Sequence, residues 1–148
     1  NIESLRVFQE AVMEVPALMQ RFKFVLGGTV CKAFSELNEI FDIVGLVDDL
    51  DEFYREIDIA INPMVGGTGL KIKSLEALSY GKSLLATEDA MVGIPSFDAL
   101  HKSTSIKEMV NNLLNLDDKR LHDLLQNSKI VFERYNSEHI NNFKNIFG

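Results

Sequence analysis

The chain has 148 residues, one cysteine and a net charge of −7. That length suits a single domain burying about 68–70% of its unfolded surface, and the acidic balance argues against a general nucleic-acid binder, whose footprint is basic. Cys31 excludes an internal disulfide, no apolar run approaches the ~18–20 residues that span a bilayer, and no secretory pattern opens the sequence, so a reducing, cytoplasmic setting is expected.

The opening segment is helical. Leu5, Phe8, Val12, Val15 and Met19 recur at spacings of three and four, which marks one apolar stripe, and Pro16 ends or kinks the first helix. Phe22 to Leu26 reads as a strand closed by Gly27-Gly28. Cys31 to Leu37 reads as a short helix, and Phe41 to Val44 as a short strand ending at Gly45. A helix is expected from Asp51 to Glu56. Asp49-Leu50-Asp51 matches, in letters, the carboxylate pair that holds a metal-bound sugar nucleotide in another class of transferases. Acidic residues before and within a first turn more simply cap N–H groups and complement the helix dipole, so no metal is expected.

Ile57 to Ile61 forms the next strand, and Asn62-Pro63 closes it because proline lacks the ladder donor. The stretch that follows is the informative one. Gly66, Gly67 and Gly69 allow a sharp bend or the close approach of a ligand. Helical spacing begins at about Lys71, with Leu70, Ile72, Leu75, Leu78 and Ser79 expected on one buried side, and Gly81 stops the helix. Lys71 and Lys73 stand in the first turn, where the dipole normally favours acids. Cations beside free backbone N–H groups suit a bound phosphate, and Glu76 reaches the same mouth. The competing reading is a glycine turn with a solvated Lys73–Glu76 pair worth only ~0.3 kcal/mol.

Ser83 to Ala86 is a buried strand, and a weak strand or turn is expected near Phe97 to Leu100. Ser105 caps a helix carrying Ile106, Met109, Val110, Leu113 and Leu114. Leu121, Leu124, Leu125, Val131, Phe132 and Tyr135 mark a second, and Ser137 caps a final short helix with Ile140, Phe143 and Phe147. Strands alternating with helices predict an α/β fold, a parallel sheet covered on both faces. Ligands of such sheets bind outside the carboxyl ends of the strands, where the glycine loop lies.

Gly67-Thr-Gly-Leu-Lys-Ile-Lys-Ser-Leu-Glu-Ala-Leu-Ser-Tyr-Gly-Lys82 with Leu84-Leu-Ala-Thr87 resembles the nucleotide-sugar-binding motif of GT-B-fold glycosyltransferases, of the large retaining, group 1 type. Phe24-Val-Leu-Gly-Gly28, Val44-Gly-Leu-Val-Asp-Asp-Leu50 and Ile57-Asp-Ile-Ala-Ile-Asn-Pro63 resemble the family's flanking elements in order, over roughly residues 1–93. The resemblance implies a Rossmann-like, C-terminal donor-binding domain, one half of a GT-B fold. It implies that Gly67, Thr68, Gly69 and Leu70 approach the donor diphosphate through their backbone. Lys71 or Lys73 neutralises it, Lys73 being the better match to the motif. Glu76 receives the ribose hydroxyls, and Leu46 or Val47 lies against the nucleobase. The nucleotide-diphosphate sugar is substrate, with no cofactor and no metal, and no nucleic-acid partner or membrane span is expected.

Two departures stand out. Many relatives carry a glutamate eight positions before the ribose glutamate, where this chain has Thr68. The opening resembles the helix after the half's first strand, so that strand, its phosphate loop and the N-terminal acceptor domain are expected to lie outside this chain, leaving it inactive alone. Alternative readings are a non-catalytic nucleotide-sugar-binding or scaffold module and a nucleotide-sugar epimerase. The latter needs acid–base groups, for which His101, His122 and His139 show no pattern.

Overall fold

The computed structural model describes residues 2–67 and 71–147, the last eight of them by backbone only. Helices α1 (Ile2–Met13) and α2 (Pro16–Arg21) open the chain. Pro16 takes a first helical position, where its missing N–H costs nothing. The break resets the helical phase, so α2 turns Leu18 inward and leaves Met19 exposed, whereas the sequence stripe placed Met19 inside.

Strand β1 (Phe24–Gly27) is followed by α3 (Val30–Phe34), a tight turn at Ser35–Leu37 and β2 (Phe41–Gly45). Then come α4 (Leu50–Arg55), β3 (Ile59–Asn62), α5 (Ile72–Ser79) and β4 (Ser83–Ala86). Two strands start later than periodicity predicts, because the preceding helix keeps their first amides. Phe22 N–H donates to Leu18 O at 2.8 Å, and Ile57 N–H to Tyr54 O at 3.1 Å. The stretch near Phe97 resolves into a 3-10 turn at Ala99–His101, which Asp98 caps by accepting from Leu100 N–H at 2.8 Å.

Helix α6 (Ile106–Leu114) begins as expected, Ser105 Oγ accepting from Glu108 N–H at 3.0 Å. Helix α7 (Asp118–Phe147) is continuous over 30 residues, so Ser137 lies inside a helix and caps nothing. Its sequence has no glycine or proline to stop it. The side chains of Ile140, Phe143 and Phe147 lie outside the described residues.

The strands form two parallel pairs. Phe24 sits opposite Phe41 in β1–β2, and Ile59 opposite Ser83 in β3–β4. Among the described residues the two pairs are separate two-stranded units. Both faces of β3–β4 are covered. Leu85, with Ile59 and Ile61 beside it, enters a core built from Phe8, Val12, Leu18, Met109 and Leu124. Leu84 and Ala86, with Ala60, enter a second core with Tyr54, Leu78, Met91 and Val131. This alternation on a fully buried strand is the expected mark of a Rossmann-like α/β layer.

Candidate functional site

The loop leaving β3 is tied on three sides. Asn62 Oδ1 accepts from Met64 N–H at 3.2 Å, and Asn62 Nδ2 donates to Ser74 Oγ on α5 at 2.8 Å. Ser74 Oγ donates in turn to Ala90 O at 2.7 Å, in the loop after β4. From that same loop the Thr87 hydroxyl donates to Met64 O, and Asp89 Oδ2 accepts from Gly66 N–H at 2.6 Å. Val65 N–H donates to Ser4 Oγ of α1 at 3.1 Å. Gly66 and Gly67 hold φ of +79° and +86°, which glycine adopts without strain. Thr68, Gly69 and Leu70, the other expected backbone contacts of the loop, lie outside the described residues.

Helix α5 starts one residue after Lys71, and no side chain caps it. Lys71, Ser74, Leu75 and Leu78 fall at i, i+3, i+4 and i+7 and form its inward face. Ile72, expected inside, is 69% exposed, and Ser79 is exposed too. Lys71 is only 5% exposed, and a Cβ added to Gly67 would stand 3.1 Å from its Nζ. The ammonium therefore packs against bare backbone, and no carboxylate among the described residues pairs with it. The Lys73 side chain is 75% exposed, with Nζ 3.6 Å from Glu76 Oε2. The Glu76 side chain is 20% exposed and accepts from the Tyr54 hydroxyl at 2.7 Å. Burial first, then the carboxylate of Glu76, pushes the Tyr54 phenol well above its ordinary range, so it stays a donor.

Helix α4 links this mouth to the turn after β2. Phe53 lies against Gly27, where an added Cβ would meet its ring at 2.7 Å and Val47 Cγ2 at 3.0 Å. The next residue, Tyr54, stacks on Tyr80 with ring centroids 4.5 Å apart. Leu46 is 73% exposed and Val47 half-buried on the same turn. The structure thus places Gly67, Lys71, Lys73 and Glu76 around the start of α5, and Leu46 and Val47 beyond α4. Sequence reading missed Tyr54 and Tyr80, since nothing local signals a contact between residues 22 apart.

Asp49 caps α4 by accepting from Glu52 N–H at 3.2 Å, and a hydrogen bond to Asp51, after burial, raises the Tyr80 phenol. Among the described residues no three His, Cys, Asp or Glu side chains are grouped to hold a metal. His101 is fully buried, His122 is exposed, and His139 donates from Nδ1 to Tyr135 O at 2.8 Å. An open hollow of about 500 Å³ lies elsewhere, against α1. Glu10, Glu14 and Glu39 line it with Arg6, whose charge is taken up by Glu3 and Glu10, so the lining stays acidic and does not favour a phosphate. No described helix is long and apolar enough to cross a membrane.

A family model for glycosyl transferases of group 1 matches residues 1–131, which take in β1 to β4, the glycine loop and α1 to α6. No curated protein and no solved structure matches the chain significantly. The ordered α/β layer, the glycine loop at a strand end and the basic start of α5 lie within the matched span. The chain belongs to the group 1 glycosyltransferases.

Proposed function

We propose that this chain is the donor-binding domain of a glycosyltransferase that moves a sugar from a nucleotide-diphosphate sugar to a hydroxyl acceptor. The observation that carries the reading is Lys71. A buried ammonium is costly without a counter-charge, and this one lies against Gly67 at an uncapped helix start, with no carboxylate partner among the described residues. A diphosphate is a counter-charge of the right size, and free helix N–H groups favour it.

In this reading the backbone from Gly67 through Leu70 approaches the diphosphate. Lys71 neutralises it from beneath and Lys73 from the solvent side. Glu76 takes the ribose hydroxyls, and Leu46 or Val47 flanks the base. As the glycosidic bond to the donor phosphate breaks, the leaving diphosphate gains negative charge. Cations and amides already in place stabilise that state more than the ground state, so the leaving group needs no metal.

The parent protein would supply the acceptor-binding half, N-terminal to this domain, and the reaction would take place between the halves in the cytoplasm. Retention at the anomeric carbon is proposed from the resemblance to the retaining type alone. Strands β1 and β3 each have an edge unpaired among the described residues while their side chains share one core, which supports a further strand between them. Without the other half, this chain is expected to bind donor and not to transfer sugar.

Calorimetric titration with UDP and with GDP tests the site. One of the two binds, and Lys71→Ala weakens binding about tenfold or more, the scale of a charged hydrogen bond. Lys73→Ala has the smaller effect, because water already screens it. Absence of binding at millimolar nucleotide, or a Lys71→Ala variant that binds like wild type, overturns the assignment. Thr68, standing where many relatives carry a glutamate, favours one second reading, a module that binds sugar nucleotides without transferring. Incubating the full-length parent with labelled donor separates the two, since a module leaves the donor intact.

A further inference from the structure

The ribose carboxylate of the proposed site is not a free surface glutamate. Glu76 Oε2 accepts from the Tyr54 hydroxyl at 2.7 Å, the length of a charge-assisted O–H···O⁻ bond, and Lys73 Nζ stands 3.6 Å from the same oxygen. No described residue hydrogen-bonds to Oε1. Tyr54 is itself held. It is buried, stacked on Tyr80 at 4.5 Å and 12°, and edge-on to Phe53 at 5.4 Å and 87°. Phe53 in turn fills the space left by Gly27 at the end of β1. A rigid aromatic block thus carries a hydroxyl to one oxygen of Glu76 and leaves the other as an acceptor.

We propose that Tyr54 is a positioning residue for donor recognition, fixing Glu76 so that Oε1 meets the ribose hydroxyls of the nucleotide. This rests on the reading of Glu76 as the ribose ligand and goes beyond it by saying what orients that carboxylate. A glutamate surrenders much rotamer freedom when it engages a ligand. Holding the side chain by Oε2 before the ligand arrives removes that loss, and the gain is confined to ligands that carry the hydroxyl. The high phenol pKa keeps the donor in place throughout the range in which nucleotides are bound.

The experiment compares UDP or GDP, whichever binds wild type, with its 2′-deoxy and 3′-deoxy counterparts. Wild type is expected to prefer the ribonucleotide by about tenfold, and Glu76→Gln to lose most of that preference. Tyr54→Phe keeps the ring and its stack but not the donor. It should lower ribonucleotide affinity about three- to tenfold, leave the deoxynucleotides unchanged and so shrink the preference. A Tyr54→Phe variant that weakens all the nucleotides equally, or keeps the full preference while Glu76→Gln loses it, overturns the role of Tyr54 and spares that of Glu76. A wild type that binds UDP or GDP without any preference overturns the ribose reading, and this inference with it.

A measurement on the wild-type residue covers the case in which Tyr54→Phe does not fold. The chain has three tyrosines, so 3-fluorotyrosine gives three fluorine resonances, assignable through Tyr80→Phe and Tyr135→Phe. The Tyr54 resonance should shift on adding the ribonucleotide and not on adding the deoxynucleotides, and equal shifts with both overturn the proposal.

Discussion

The imidazole of His101 is fully buried, its Nδ1 2.7 Å from Ser96 Oγ and its Nε2 3.1 Å from Ser128 Oγ. Burial chiefly holds its pKa down to about 4, Asp98 opposing and Arg120 reinforcing the shift. In the unfolded chain the ring titrates near 6.5, so its contribution to stability is complete above that pH. As the pH falls from 6.5 towards 4 only the unfolded chain takes up this proton, and roughly 3 kcal/mol is lost. Asp98, held near 2 through its bonds to Arg120 and Asn127 in spite of burial, adds a separate loss as the pH falls below 3.8. Urea midpoints should therefore decline below pH 6.5, and His101→Gln should flatten that decline between 6.5 and 4. An unchanged slope in the variant would place the titration on another group.

At the scale of elements, α7 is fastened to the turn at Ala99–His101 by charge. The Asp98 carboxylate, shielded from water, accepts from Arg120 Nη1 at 3.1 Å and from Asn127 Nδ2 at 2.8 Å. Arg120→Ala would leave that carboxylate short of its cation, at a cost of about 3 kcal/mol in urea unfolding. Arg120→Lys should recover only part, because an ammonium cannot engage both carboxylate oxygens as the guanidinium does. A loss under 1 kcal/mol in Arg120→Ala would show that water reaches Asp98. Helix α5 shows what local reading missed. Its inward stripe contains Lys71 and the Ser74 hydroxyl, residues a hydrophobic count passes over, while Ile72, which apolar spacing puts inward, faces out.

At the scale of the whole molecule, β4 joins the two cores. Leu85 enters one, Leu84 and Ala86 the other, and Ser128 of α7 accepts from Leu84 N–H at 3.3 Å. Leu85→Ala should cost about 3 kcal/mol, because a fully buried leucine leaves a cavity that rigid neighbours cannot close. The loss should appear as one transition of unchanged steepness at a lower urea concentration, with intrinsic fluorescence and circular dichroism changing together. Separate transitions would mean that the two cores melt independently.

The order of strands and helices, the glycine loop at a strand end and the basic start of α5 were all legible in the amino-acid sequence. Each is written within a few consecutive residues, as a period of two or 3.6, a glycine or a misplaced charge. Tertiary packing alone decided that Lys71 is buried while Lys73 is exposed, and that Tyr54 grips Glu76. Those outcomes depend on which surface a helix presents to partners distant along the chain, and a change of one residue in where α5 begins rotates every side chain on it by about 100°.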